Sequence, residues 1–151
     1  MLRQEISQAL TTAMKAHDKM RTSTLRLIMA ALKDRDIAHR GAGKDPVTDD
    51  ELLAILSKMI KQREESAKMY EEGNRLELAE TERAEIAIIK DFLPKQLDDA
   101  EIRKICGDAI TEIGAEGLRD MGKVMAVLKE RYTGQMDFAK ASAELKTLLS
   151  A

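Results

Sequence analysis

The sequence predicts an all-α protein with an N-terminal four-helix lobe followed by a small C-terminal three-helix bundle. Apolar residues recur at three- and four-residue spacing, and no segment alternates apolar and polar residues as a strand does. Charged residues make up 34% of the 151 residues, with only eight Gly and two Pro. That composition is typical of long, solvent-exposed helices. Aromatic residues are only 3%, so the core must be built mainly from Leu, Ile, Ala and Met.

The first two helices are predicted from one-sided apolar patterns. The first covers roughly residues 2–16. The second runs from about Thr22 to Ala38, and a loop rich in Gly and ending at Pro46 follows it. Glycine and proline clusters of this kind interrupt helices.

The third and fourth helices have clear start and stop signals. Thr48 and Glu51 form the pattern of a capping box that opens the third helix. Gly73 suits its C-terminal end. The fourth helix covers about residues 76–92, where Pro94 stops it.

The Leu93–Pro94 pair predicts a boundary between two lobes, residues 1–93 and 97–151. In the second lobe, Asp98 is predicted to cap a fifth helix that ends at Gly114. A short sixth helix begins near Asp120, and a seventh begins near Asp137.

Charge is distributed unevenly along the chain. The net charge is −2, but residues 1–44 carry nine Lys and Arg against four Asp and Glu, and residues 45–98 carry eight against fourteen. A basic N-terminal segment can attract phosphate even when the total charge is negative. No apolar run is long enough for a membrane span, so no membrane partner is predicted. The single cysteine, Cys106, cannot form an internal disulfide, which favours a reducing, cytoplasmic location.

No reaction centre is recognisable. Nucleophilic catalysis needs an activated side chain with a base beside it, and the two histidines, His17 and His39, lie beside charged or loop-forming residues. Cys106 falls in the apolar stripe of the fifth helix and is interpreted as a core residue. No metal-ligand spacing and no glycine-rich phosphate loop is present, so no catalytic residue, metal or cofactor is predicted.

Three polar groups remain as candidate binding residues. Arg26, Lys33 and Arg40 repeat every seven residues and share one face of the second helix, provided that the helix reaches Arg40. They predict either a phosphate-binding stripe or an ordinary solvated face.

The second group lies on the third helix, where Arg63 and Tyr70 fall inside the apolar stripe. A buried guanidinium needs a partner. One interpretation is a structural ion pair with Glu82 or Glu85 of the fourth helix. The other is an exposed corner that offers a guanidinium and an aromatic ring to a nucleotide.

The third group is the segment Asp120–Met125, in which Asp120 is predicted to cap the sixth helix. Gly122 and Lys123 would lie in the first turn, where a helix N-terminus and a lysine can bind a phosphate. The Asp120 carboxylate would oppose such binding.

These residues, taken in order, resemble the GatB/YqeY family. It comprises the tail domain of the B subunit of the glutamine-dependent tRNA amidotransferase and free-standing proteins of the same fold. The similarity covers nearly the whole chain and includes Arg26–Lys33, Lys61–Arg63, Ser66, Tyr70, Gly73, Glu82, Glu85, Leu93–Pro94, Asp120–Met125 and Gly134.

The resemblance implies an all-helical fold and a role in holding tRNA while other domains do the chemistry. It implies carbon–nitrogen ligase activity with glutamine as amide donor only by association. Where the family often has an arginine after Gly134, this chain has Gln135.

The leading hypothesis is a non-catalytic module that binds tRNA or the tRNA-amidation machinery, including amidotransferase subunits. Tyr70 is the predicted stacking residue, and the predicted positive contacts are Arg26, Lys33, Arg40, Arg63 and Lys123. The alternative hypothesis is a protein–protein adaptor that does not contact RNA.

Overall fold

The computed structural model describes residues 1–150 and confirms the all-helical prediction. Within this range there is no strand, and the secondary structure consists of seven α-helices and one 3₁₀ turn, Leu118–Asp120. The α-helices are α1 Leu2–Lys15, α2 Lys19–Gly41, α3 Asp49–Glu72, α4 Leu76–Lys90, α5 Asp99–Ile113, α6 Met121–Arg131 and α7 Phe138–Leu149. None of these helices is both long enough and apolar enough to cross a membrane.

The chain divides into two compact units, an N-terminal unit that ends at Leu93 and a C-terminal unit that begins at Pro94. The core of the N-terminal unit is aliphatic. Its largest fully buried side chains are Ile6, Leu25, Ile28, Leu32, Leu52, Leu56 and Ile89. They come from all four helices of the unit, so the unit is stabilised mainly by burial of apolar surface.

A carboxylate–guanidinium cluster joins three segments of the N-terminal unit. Arg3 of α1 donates from Nη1 to one Asp36 oxygen at 2.5 Å and from Nη2 to the other at 3.1 Å. Asp36 also accepts from the Val47 backbone N–H at 2.9 Å, while Arg3 donates to the Val47 carbonyl at 3.0 Å. The hydrogen bond from Arg3 and the one from Val47 lower the pKa of the Asp36 carboxyl to about 2. This cluster was not predicted from the sequence.

The buried core of the N-terminal unit ends at Ile60 of α3 and Ile86 of α4. Beyond these residues α3 continues for about twelve residues, or about 18 Å. We call residues 61–85 the α3–α4 arm. Its buried apolar residues are Ala67 and Ala79, which do not belong to the core cluster. Ion pairs between the two helices, Arg63–Glu85 and Arg83–Glu71, complete the arm.

The C-terminal unit packs α5, α6 and α7 around a second apolar core. Its fully buried side chains include Cys106, Val124, Leu128 and Leu145. Burial raises the pKa of the Cys106 thiol to about 11, and the thiol lies 3.8 Å from the Ala141 carbonyl oxygen. The interpretation of Cys106 as a core residue is therefore confirmed.

Helix ends follow the predicted signals in most places. The Asp98 side chain caps α5 as a full capping box with Glu101, and Gly114 ends that helix at a left-handed φ of 75°. At α3 the Thr48 side chain accepts from the Glu51 backbone N–H, while the Glu51 carboxylate accepts from the Thr48 hydroxyl. In a capping box the Glu51 carboxylate would accept from the Thr48 backbone N–H, and here it accepts from the Thr48 hydroxyl instead.

Gly73 ends α3 as predicted, but it keeps a negative φ of −84°, and the left-handed residue is the following Asn74, at a φ of 58°. The predicted side-chain cap of α6 is wrong. Asp120 lies at the start of α6 but does not cap it with its side chain. The Asp120 carboxylate instead accepts from the Glu116 backbone N–H at 3.0 Å. This bond closes the preceding loop, because a carboxylate can hydrogen-bond nearby backbone groups outside the helix.

Candidate nucleic-acid interface

A row of four basic residues lies on the exposed face of α2. Arg26, Lys33 and Arg40 are all exposed. Because α2 extends to Gly41, the helix reaches Arg40, as the predicted row required. Lys19 lies seven residues before Arg26 and falls on the same face, about 20° away. We call Lys19, Arg26, Lys33 and Arg40 the α2 basic stripe. Consecutive cations are about 10 Å apart along the helix, and the row is about 32 Å long.

The cations of the α2 basic stripe have no carboxylate partner among the described residues, a property they share with other exposed cations of this unit, such as Lys15 and Lys58. The stripe is distinguished by the alignment of its cations along one helix face. Elsewhere in this unit, Arg21 contacts Asp91 at 2.9 Å, and the arginines at positions 3, 63 and 83 are likewise paired. Unpaired, solvent-exposed cations in a row remain available to an external anion.

Small side chains occupy positions between the cations. Ser23 and Ala30 lie on the same helix face as Arg26, within about 60°. Their small size permits close approach of an extended anionic backbone. Ile37 is the exception, with 54% of its surface exposed between Lys33 and Arg40.

The C-terminal end of the stripe is held by His39. Its Nδ1 lies 2.9 Å from the Asp45 carbonyl oxygen, and its Nε2 lies 3.2 Å from a Glu51 carboxylate oxygen. The Lys44 backbone N–H also donates to the His39 carbonyl at 2.8 Å. These contacts tie the last turn of α2 to the loop and to α3, so that Arg40 is presented from an ordered helix end.

Arg63 is an inter-helix ion-pair residue. Its Nε donates to Glu85 at 2.7 Å, its Nη1 donates to the Met59 carbonyl at 3.3 Å, and only 14% of its side chain is exposed. Partial burial and the nearby Glu85 carboxylate raise the pKa of Glu82, which lies on the same side of α4. Of the two interpretations of Arg63, the structural ion pair with Glu82 or Glu85 therefore matches the observed geometry, and Glu85 is the partner.

Tyr70 is half-buried on the same helix as Arg63, near the end of the α3–α4 arm. The structure places these two residues on the arm, whereas the basic stripe belongs to α2. The predicted contact residues of the N-terminal unit therefore lie on two different helices.

Lys123 is exposed in the first turn of α6, as predicted, and belongs to the C-terminal unit. Asp120 lies close by. The pKa of Asp120 is lowered mainly by its hydrogen bond from the Glu116 backbone, with a smaller effect from Lys123. The neighbouring carboxylate weakens the attraction of Lys123 for an anion.

Lys19 is the member of the α2 basic stripe that was not predicted from the sequence. The second helix was predicted to begin at Thr22, but it begins at Lys19. The Asp18 side chain caps it by accepting from the Arg21 backbone N–H at 3.1 Å. The signal was available, because Asp is among the preferred N-cap residues.

In residues 1–150, no group of three or more His, Cys, Asp or Glu side chains is placed to hold a metal ion. A shallow surface pocket of about 420 Å³ lies on one side of the α3–α4 arm. Its lining mixes Ala67 and Ile86 with Lys68, Arg83 and Lys90.

Comparison with known proteins identifies the family. The family model for Yqey-like proteins matches residues 3–149. The chain belongs to the YqeY-like family. This result confirms the resemblance found from the sequence motifs.

Curated relatives come from yeasts. A protein of Lachancea thermotolerans named "Altered inheritance of mitochondria protein 41, mitochondrial" is 32% identical over 110 residues, which is 72% of this chain and 57% of the relative. Proteins with the same name from Clavispora lusitaniae and Saccharomyces cerevisiae are 34% and 28% identical. These matches cover 70% and 91% of this chain, and 66% and 71% of the relatives. The YqeY-like chain thus spans little more than half of the Lachancea relative.

The relatives correct one prediction. Their names place them in mitochondria, which points away from the general cytoplasm, so the predicted cytoplasmic location is wrong. The prediction rested on the single Cys106. One cysteine excludes an internal disulfide but does not distinguish one reducing compartment from another.

Proposed function

We propose that this YqeY-like protein is a non-catalytic tRNA-binding module whose main RNA contact is the α2 basic stripe. The observation that carries this proposal is the row of four exposed cations repeated every seven residues along α2, for which residues 1–150 supply no carboxylate partner. The lobe of residues 1–93 therefore supplies the principal surface, and the lobe of residues 97–151 supplies at most an additional cation, Lys123.

The spacing suits a phosphate backbone better than a single phosphate. One phosphate binds between cations that converge on it, whereas these side chains project in parallel along about 32 Å of helix. Each cation that neutralises a backbone phosphate releases counterions, which supplies affinity without reading sequence. A-form RNA is recognised largely through shape and backbone contacts.

The resemblance to the amidotransferase tail domain supports tRNA as the RNA class, with the tRNA-amidation machinery as the context. Carbon–nitrogen ligase activity with glutamine as amide donor would then belong to the assembly. We propose no catalytic residue in this chain. Arg63 and Tyr70 are secondary candidates, because Arg63 already has a carboxylate partner.

The test compares two double charge reversals in the full chain. Arg26→Glu with Lys33→Glu changes the stripe, and the control, Lys15→Glu with Lys58→Glu, changes two other exposed lysines of the same unit. Both variants have the same net charge. Fluorescence anisotropy measures binding to bulk tRNA and to duplex DNA at about 50 and 200 mM salt.

We expect the wild-type chain to prefer tRNA and to bind more weakly at the higher salt concentration. The stripe variant should lose about tenfold or more in affinity, and its salt slope should decrease by about two, one for each lost phosphate contact. Equal losses in the two variants would show that only net charge matters and would contradict the stripe as a site. Absence of tRNA binding by the wild-type chain would reject the function.

A further inference from the structure

The surface pocket of about 420 Å³ lies where the α3–α4 arm leaves the apolar core of the N-terminal unit. Its apolar lining comes from Ala67 of α3 and from Ile86 and Ala87 of α4. Ile86 belongs to the core cluster, whereas Ala67, only 3% exposed, continues the apolar lining along the arm. Two of these three side chains are alanines, which fill little of the space between two helices. The pocket therefore follows from small residues at this level of the arm.

Cations from both helices surround this apolar lining. Lys68 of α3 and both Arg83 and Lys90 of α4 line the pocket, and all three are exposed. Arg83 and Lys90 lie seven residues apart, so they share one side of α4, about 20° apart around its axis and about 10 Å apart along it. Residues 61–90 as a whole carry six Lys and Arg against eight Glu. The pocket thus gathers positive charge on a segment that is acidic overall.

The charge that the pocket offers to a ligand is small and positive. Arg83 is already paired with Glu71. Lys68 and Lys90 have no carboxylate partner within the described part of the chain, and the Glu64 carboxylate lines the same pocket. Two ammonium groups and one carboxylate leave a net charge of +1. That charge matches a monoanion better than it matches a phosphate dianion or a nucleic-acid backbone.

We propose that this pocket binds a small amphiphilic carboxylate, that is, a molecule with one carboxylate and an apolar body. The apolar body would cover Ala67, Ile86 and Ala87, and the carboxylate would contact Lys68 and Lys90. Small-molecule sites combine apolar walls with a few polar groups that fix orientation, and they have volumes of about 300–1,000 Å³. None of the lining residues lies on α2, so the proposal is independent of the tRNA-binding function.

The test titrates three probes into the full ¹⁵N-labelled protein and follows the backbone amide shifts by NMR. Octanoate carries a carboxylate and an apolar chain. Octylammonium has an apolar chain of the same length with the opposite charge, and acetate has the carboxylate without the chain. The comparison separates the contribution of charge from that of the apolar body, and the shifted amides locate the site.

One variant removes the positive charge of the pocket. Lys68→Gln with Lys90→Gln eliminates the two unpaired cations. The matched control, Lys15→Gln with Lys58→Gln, eliminates two other exposed lysines of the same unit, which do not line the pocket. Both double variants have the same net charge, so a difference between them reports the position of the cations.

A second variant occupies the space that the apolar body needs. Ala87→Leu places a larger side chain in the pocket, and the matched control, Ala54→Leu, makes the same change at an exposed position of α3 outside it. Because every substituted residue is exposed and the new residues are good helix formers, circular dichroism should show the helix content of wild type in all variants.

We expect octanoate to bind with a Kd of about 1 mM, as suits a ligand of this size in an open pocket, and to shift amides of residues 64–68 and 83–90. Octylammonium and acetate should bind at least about tenfold more weakly, because one lacks the negative charge and the other the apolar body. Each pocket variant should weaken octanoate binding about fivefold, and the controls should bind like wild type.

Octylammonium or acetate binding as tight as that of octanoate would overturn the proposal, because the charge and the apolar body are both required. Amide shifts centred outside the pocket would also reject the site. The same conclusion would follow from an octanoate affinity that neither pocket variant changes.

Discussion

Arg3 and Asp36 connect three segments of the N-terminal unit through four hydrogen bonds, two of them to the Val47 backbone. The paired geometry places both Asp36 oxygens opposite the guanidinium, an arrangement that only arginine supplies. The Asp36 side chain is 21% exposed, so the cluster lies at the edge of the core. It orients the chain between α2 and α3, where the end of the basic stripe is also held.

The Asp36 carboxyl should make stability depend on pH in the acid range. Its pKa is about 2 in the folded chain, against about 3.9 in an unfolded chain. A lowered pKa means that the carboxylate stabilises the fold above the unfolded value, and that this stabilisation is lost as pH falls from about 4 to 2. We expect Asp36→Asn to lower the Tm at pH 7 and to flatten the fall in Tm between about pH 4 and 2. The measurement is thermal unfolding followed by circular dichroism.

A suitable control is Asp34→Asn, which removes an exposed carboxylate on the same helix. It should leave both the Tm at neutral pH and the acid slope close to wild type. If Asp36→Asn gave the same acid slope as wild type, another carboxylate would be responsible for the pH dependence.

Among the elements, the α3–α4 arm departs most from ordinary core packing. Its two helices lie against each other through Ala67 and Ala79 and through the buried side of the Arg63–Glu85 pair. Small residues permit close approach of the helices but bury little apolar area. The ion pair therefore contributes more to the specificity of the arm than to its gross stability.

Removing one partner of this pair should cost more than removing both. Arg63→Met leaves Glu85 and Glu82 without their cation in a partly buried site, and we expect a loss of about 2–3 kcal/mol in the free energy of unfolding. Replacing Glu85 by Leu in the same chain should recover most of that loss. Urea denaturation of the two variants and wild type measures the difference.

The chain offers an internal comparison in Arg83, whose partner Glu71 is more exposed than Glu85, at 43% against 17%. Arg83→Met should cost less than about 1 kcal/mol, as exposed ion pairs do. A double variant of Arg63 and Glu85 that was less stable than Arg63→Met would contradict the desolvation argument.

At the scale of the whole molecule, charge is separated along the sequence. Residues 1–44 carry a net +5, and residues 45–98 carry a net −6. The total of −2 therefore conceals a basic face on α2 and an acidic end on the α3–α4 arm. Such a distribution orients an approaching polyanion toward α2 and an approaching polycation toward the arm.

The number of cations in the α2 basic stripe determines the expected salt dependence of tRNA binding. If the four cations of the α2 basic stripe are the only phosphate contacts, the slope of log K against log salt should lie between about −3 and −4. The measurement is a salt titration of tRNA binding by the full chain. Lys123→Glu should then leave the slope unchanged, because Lys123 lies beside Asp120 and outside the stripe.

A steeper slope that Lys123→Glu reduces by about one would add α6 to the RNA contacts. A slope close to zero, with tight binding, would contradict a backbone-tracking site and would require contacts to bases. The two results are distinguishable without knowing which tRNA the protein prefers.

The sequence was sufficient for the fold class and for most helix ends, because these depend on local patterns. Apolar spacing defined the seven helices, and Asp98 and Gly114 marked the ends of α5. Two helix starts were not predicted correctly, because the Asp120 side chain bonds the loop instead of α6 and because Asp18 was overlooked as the cap of α2. At the end of α3, Gly73 and Asn74 both suit a left-handed residue, and Asn74 takes that conformation.

The sequence also predicted the row Arg26, Lys33 and Arg40, since a seven-residue repeat on a helix is a local property. Only the tertiary structure decided which charges remain unpaired. The choice of Glu85 for Arg63 and the joining of Arg3 to Asp36 depend on which helices meet. Packing brings together residues 22 to 33 positions apart in these pairs, and spacing along one helix carries no information about such contacts.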